Sequence, residues 1–204
     1  MAGDYEALKN KQTELIRKAL DGSVFLSSDL TPASAIATLT TYRAAVVGPP
    51  AVPAGVQLST LPVSYDDLGW LDTAGAQFSR DVSASDVTSW GSVTPTRTDV
   101  TADTTTLSVT AQETKLLTIG LATGADMESV KAAFQTGEVS IAKPARPKTR
   151  HYRVLSLAVD QGDGGEIYLG RFLPRAKVTG YSEQSLGGGD DPISWGVTMT
   201  GEED

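Results

Sequence analysis

The chain has 204 residues, with 17 basic against 25 acidic, a net charge of -8 and 40% apolar residues. This fits one soluble globular domain with an arm, able to bury about 70% of its extended-chain surface. The acid excess excludes a surface built mainly to grip nucleic acid, which needs a basic face, but suits one past which nucleic acid slides.

Residues 1–60 read as an N-terminal helix, an arm and a proline-rich connector. The first ten residues are polar and lack the apolar core of a signal peptide. Tyr5, Leu8, Leu15, Ile16 and Ala19 recur near one helical face, and Gly22 is a stop signal. Val24-Phe25-Leu26 reads as a short strand. Thr31-Pro32 opens a short helix toward Leu39, weakened by Thr38, Thr40 and Thr41. Residues 44–65 carry no charge and contain Pro49, Pro50, Pro53 and Pro62. With that proline content they predict an extended connector rather than a membrane span.

From Leu61 the pattern is that of strands. Phe78, Arg80 and Val82 share one face, and Gln77, Ser79 and Asp81 the other. Thr94–Thr110 holds eight threonines in seventeen residues, and a branched Cβ favours a strand over a helix. Leu107, Val109 and Ala111 alternate with period two. Helical signals return over Glu113–Leu121. A second helix from Asp126, carrying Met127, Val130 and Phe134, would end at Gly137. Tyr152–Val159 predicts a long strand, Gly162–Gly165 a turn, and Ile167–Leu173 a second strand. Pro174 predicts a corner, after which Ala176, Val178 and Gly180 begin a third strand. Gly187–Pro192 is another turn, and Ile193, Trp195, Val197 and Met199 alternate to the end. The fold expected is mainly β: a β-sandwich or partly closed barrel over 61–200, with short flanking helices and an acidic tail at 201–204.

No catalytic or cofactor constellation emerges. The absence of cysteine removes disulfides, thiolate metal sites and cysteine nucleophiles. The single histidine, His151, lies between Arg150 and Arg153 with no acid nearby in sequence, and reads as an ordinary strand residue. Asp160, Asp163 and Glu166 lack the spacing of a helix-loop-helix calcium site. Asp66, Asp67 and Asp72 carry no signal that opposes two of them as a glycosidase pair. No metal, cofactor or enzymatic activity is expected.

The candidates are contact residues. Lys143, Arg146, Lys148, Arg150 and Arg153 form a basic run free of acids, suited to an acidic surface on a neighbouring subunit, to solvent, or to nucleic acid. The acids concentrate in residues 51–140, with eleven against four bases. Trp70 and Trp90 sit near turns and read as core or as interface anchors, whereas Trp195 reads as core. Arg80 and Arg97 have Asp81, Asp86 and Asp99 within reach of an ion pair. A long meander also leaves two strand edges, which copies of the chain can pair to close a ring.

One family matches this order of motifs. Asp67-Leu68-Gly69-Trp70-Leu71 is followed by Phe78-Ser79-Arg80-Asp81-Val82 and Val87-Thr88-Ser89-Trp90-Gly91. Pro95-Thr96-Arg97-Thr98-Asp99-Val100, Thr104-Thr105-Thr106-Leu107 and Ala111-Gln112-Glu113-Thr114 come next, and Phe172-Leu173-Pro174-Arg175-Ala176 lies further on. Together these resemble the major tail tube proteins of long, non-contractile-tailed phages, especially those infecting actinobacteria. The resemblance covers roughly residues 60–200 and carries over no catalytic residue. It implies a β-sandwich with a flanking helix, six subunits to a ring, and an inner barrel continuous across subunits. It also implies rings stacked into a tube around a tape-measure protein, tail-tip and terminator partners, and an acidic lumen through which DNA passes unbound. Such a protein is made in the host cytoplasm and ends in the virion tail, with no membrane insertion. The rival readings are a tail terminator or head-tail connector ring, and a carbohydrate- or receptor-binding β-sandwich using Trp70 or Trp90.

Overall fold

The computed structural model describes residues 9–44, 55–125, 133, 135–141, 148–162, 165–184, 186 and 192–203. In chain order these form β1 (Asp21–Ser27), β2 (Thr40–Arg43), β3 (Gly55–Leu58), β4 (Asp66–Asp67), β5 (Gln77–Val87) and β6 (Arg97–Ala111). Helix α1 (Leu116–Thr123) follows, then β7 (His151–Gly162), β8 (Gly165–Tyr181) and β9 (Trp195–Gly201). Seven strands make one antiparallel sheet in the order β4-β1-β7-β8-β9-β6-β5, and β2-β3 is a separate ladder. The mainly β expectation holds.

Strand β8 organises this sheet. Its first part pairs with β7 from Gly165 to Lys177, and its last part pairs with β9 from Ala176 to Tyr181. Pro174 is therefore not the corner between two strands that its side chain predicts. Between Val154↔Leu173 and Tyr152↔Ala176, one residue of β7 opposes two of β8. A bulge of this kind needs no ladder N–H at its extra residue, so proline is tolerated and the strand bends without ending.

The bend lets the two halves of the sheet share one core. Val24 and Leu26 of β1 and Val154 of β7 belong to the same buried cluster as Leu107 and Val109 of β6 and Val197 and Met199 of β9. Segment 66–72 joins the two halves at one end. Leu68 N–H donates to Val24 O (2.9 Å), Leu71 bridges Ala111, and Asp72 N–H donates to Thr110 O (2.9 Å). The result is a partly closed barrel. Helix α1 adds Leu117 and Leu121 to the core and stops at Gly124, whose left-handed φ of 68° suits glycine.

The described part of residues 1–60 packs into this body. Strand β1 pairs with β7 over seven residue pairs, from Asp21↔Val159 to Ser27↔Arg153. Leu39 covers the reverse face of the sheet, lying over Gly170 where a Cβ would collide with it. Arg153 is buried, and its guanidinium donates to Leu30 O (2.9 Å). Part of the uncharged connector, Gly55–Leu58, is a strand paired with β2.

Three predicted helices need correction or fall elsewhere. Of the first, residues 9–20 hold only a 3-10 turn at Thr13–Leu15, and Leu15 (62%) and Ile16 (73%) are exposed. So short an amphipathic helix needs a partner for its apolar face, and the chain supplies none. Its earlier part, with Tyr5 and Leu8, lies outside the described residues. The helix at Pro32 is only a 3-10 turn, Pro32–Ser34, because the threonines after it enter β2. Met127, Val130 and Phe134 of the predicted second helix lie outside the described residues.

Candidate assembly surfaces

The β5–β6 hairpin outgrows the sheet. Strand β6 pairs with β9 only from Thr106 to Ala111, yet with β5 from Arg97 to Ser108. Beyond Thr104 no other strand is bonded to the hairpin. Its alternation nevertheless continues. Phe78 and Leu107 face the core, and on the same face further out stand Val82, Ala84 and Val100, with Arg80, Asp86, Thr98 and Asp103. The opposite face carries Ser79, Asp81, Ser83, Ser85, Thr104 and Thr106. One face is thus patterned as if buried, although Val82 is 46% and Val100 66% exposed.

Sequence chemistry holds this projection together. Arg80 makes a two-pronged pair with Asp103, with Nε to Oδ1 at 2.8 Å, and Arg97 Nε pairs with Asp99 at 2.8 Å. Arg97 finds one of its predicted partners. Arg80 takes Asp103 instead of Asp81 or Asp86, because Asp103 lies on its own face of the hairpin one pair further out. The Arg80 guanidinium holds the Asp103 carboxyl below the usual carboxylate range. Asp81 and Asp86 have no ion-pair partner among the described residues. Asp86 accepts from the Thr98 hydroxyl (2.6 Å).

The tip is stitched by hydroxyls. Thr96 N–H donates to Val87 O (2.8 Å), and Ser89 and Thr96 hydroxyls meet at 2.8 Å. Gly91, at φ 86°, makes the turn. Trp90 and Val93 are left fully exposed. Trp90 thus stands exposed at the far end of the hairpin.

Trp70 lies at the other end of the fold, 74% exposed, in the segment that closes the barrel. The Glu113 carboxylate fixes it, accepting from Trp70 N–H (2.8 Å) and pairing with Lys115 Nζ (2.8 Å). Lys115 first, then the Trp70 amide, lowers the Glu113 pKa. Gly69 has φ 89°, and a Cβ there would run into that carboxylate. Sequence reasoning missed Glu113 as the anchor of Trp70. The one signal for it was its place in the ordered motif series, forty-odd residues from Gly69-Trp70. The Trp195 indole, half-buried against the core, donates to Thr114 Oγ1 (3.2 Å). Trp70 also borders a cleft of about 450 Å³ with Leu20, Phe78, Leu169 and Arg171, where the Arg171 guanidinium sits 4.3 Å from the Phe78 ring centre.

The basic run is only partly described. Lys143 and Arg146 lie outside the described residues, Lys148 is exposed and Arg150 half-buried. Beside it, Glu202 gathers three basic side chains from two strands. His151 Nε2 is 2.9 Å away, Lys177 Nζ 2.5 Å and Arg175 Nε 3.7 Å. Lys177 above all holds the Glu202 carboxyl below the usual range. His151 thus has an acid partner, 51 residues on in sequence. Among the described residues no group of His, Asp or Glu is placed to hold a metal ion, and no helix is long and apolar enough to cross a membrane.

A chain whose apolar hairpin face and long edge strand β5 are left uncovered is a structural subunit made to be completed by other molecules. The phage tail tube protein family model matches residues 10–202, and the chain belongs to that family. Its role is that of a structural subunit of the phage tail tube. Among solved structures, one described as the tail of an empty GTA particle, from helical refinement with C6 symmetry, is similar at 14% identity and a TM-score of 0.33, covering 69% of this chain and 84% of that one. No curated protein matches the sequence.

Proposed function

We propose that six copies of this chain close into a ring and that rings stack into the tube through which DNA leaves the capsid. The observation that carries this reading is the hairpin: a face continuous with the core, with Val82, Ala84 and Val100 on it and none of the described residues covering it. Strand β5 has a free edge along eleven residues, and at the other end of the sheet β4 covers only Phe25 and Leu26 of β1. Pairing of the two edges between neighbours satisfies the backbone groups that an isolated subunit leaves to water. The protruding tip, with Trp90, then contacts a further copy, as does the Trp70 end. The basic side chains Lys143, Arg146, Lys148 and Arg150 face acidic surface on a neighbour.

The work is geometric and needs no enzymatic step. A tape-measure protein fills the tube during assembly, tip and terminator proteins close its ends, and the net charge of -8 keeps DNA from adhering to it. The subunit is made in the host cytoplasm and functions in the virion tail.

Negative-stain electron microscopy across a concentration series tests this. Stacked rings of one diameter with a central channel are expected. Single rings that never stack would favour a terminator or connector. Particles that stay monomeric at all concentrations, even with tail-tip proteins added, would refute the reading.

A further inference from the structure

Two of the exposed apolar surfaces among the described residues differ in charge. The first is residues 9–20, exposed throughout. This segment holds Lys9, Lys11, Arg17 and Lys18 against Glu14 alone, in a chain of net charge -8. Its sequence is patterned for a helix. Leu15, Ile16, Ala19 and Leu20 fall at i, i+1, i+4 and i+5, on one side of a helix, and Glu14 precedes Lys18 by four, the favourable order for a helical ion pair. The second surface is the distal face of the β5–β6 hairpin, with Val82, Ala84 and Val100. The hairpin carries Asp81, Asp86, Asp99 and Asp103 against Arg80 and Arg97. Both arginines are already paired within it, which leaves Asp81 and Asp86 uncompensated.

From this complementarity we infer that residues 9–20 of one copy fold into a helix on the β5–β6 hairpin of a second copy, as part of the ring assembly proposed above. The sizes agree. A helix of this segment is about 18 Å long, and the hairpin from Phe78 to Val87 about 30 Å. Leu15 and Ile16 cover Val82 and Val100, and Arg17 and Lys18 approach Asp86, which stands on the same face of the hairpin. The segment stays open in a single copy because so short a helix gains too little without that apolar face to lie on. Ordering is therefore coupled to association, which makes the arm a device that withholds assembly contacts until a neighbour supplies the hairpin.

The test uses the full chain, with circular dichroism at 222 nm and electron microscopy read together across the assembly concentration. Helical signal is expected to rise with tube formation, by an amount matching about one short helix. Leu15→Asp with Ile16→Asp is expected to raise the concentration needed for tubes at least tenfold, about 1.4 kcal/mol per tenfold step, while leaving the monomer's unfolding unchanged. Arg17→Glu with Lys18→Glu is expected to do the same, and Asp86→Lys in that background to restore assembly. Wild-type tubes that form without helical gain, together with unimpaired assembly of the Leu15/Ile16 variant, would overturn the inference and leave the tube reading intact. Helical signal already complete in the monomer would overturn it too, since the arm would then lie on its own copy. Failure of the wild-type chain to assemble under any condition would remove the tube reading, and this inference with it.

Discussion

The inner and outer halves of strand β6 are one strand with two environments. From Thr106 to Ala111 it is paired with β9, and as far as Ser108 also with β5, and Leu107, Val109 and Ala111 are buried. From Arg97 to Thr104 it has β5 alone and every residue is half-buried or exposed. The core-side face continues across this boundary through Thr105 and Asp103 and, after a one-residue bulge at Thr101, to Val100. Alternation therefore records which face is meant for burial, not who buries it. In the inner half the chain buries its own face; in the outer half the face waits for a neighbour. Substitutions should separate the halves: those in the inner half act on the folding of one subunit, those in the outer half on the association of many.

The largest effect is expected from removing residues 1–60. That deletion takes out β1, with Val24 and Leu26, and leaves β7 unpaired along one edge. The remaining chain should lose its cooperative unfolding transition in a denaturant titration followed by fluorescence. A truncation that unfolds like the full chain would show the β1 pairing to be dispensable. Removing residues 1–20 alone should leave that transition in place.

Leu107→Ala, in the inner half, deletes a fully buried side chain. A loss of about 2–5 kcal/mol in unfolding free energy is expected from lost transfer energy and a residual cavity. Gly69→Ala strains a left-handed backbone and displaces the Glu113 carboxylate, at a cost of about 1–3 kcal/mol. Its loss should be accompanied by a change in Trp70 fluorescence, because Glu113 holds the Trp70 backbone N–H.

Val82→Asp with Val100→Asp, in the outer half, should shift monomer stability by no more than about 0.5 kcal/mol. The same pair should abolish tubes under the electron microscope. A large monomer effect would mean that the outer face is already covered within one chain, and would erase the contrast between the halves.

The smallest effect concerns the Glu202 clasp. Its carboxyl lies below the ordinary glutamate range when folded, held there first by Lys177. Its contribution is therefore present above the unfolded glutamate value, about 4.3, and is lost as pH falls through the lowered folded value. Glu202→Gln should flatten the fall in thermal stability below about pH 4.3 and leave the neutral-pH transition almost unchanged. An identical acid profile in the variant would show that the clasp contributes nothing.

Much of the candidate site was legible in sequence. Trp70 and Trp90, near turns, read as core or as interface anchors, and both are exposed. Asp99, the partner of Arg97, is one of the three acids the sequence offers to Arg80 and Arg97. Other parts could not be read. Asp103 as the partner of Arg80 depends on strand register, and Glu113 as the anchor of Trp70 depends on a contact between segments distant in the chain. The acid partner of His151 comes from beyond β9, invisible to any local window.

Local patterning set by this sequence alone includes the β character of 61–200, the hairpin alternation, the short helix before Gly124 and the absence of thiol chemistry. These follow from side-chain branching, period and composition, which act over a few residues. Only the tertiary structure decided that β1 belongs inside the sheet, that β8 passes through Pro174 by a bulge, and that residues 9–20 stay unwound. Each of those outcomes depends on a partner far away in the chain or not in it at all. A strand at an edge, a proline in a ladder and a marginal helix are settled by whether that partner is present to share hydrogen bonds and exclude water.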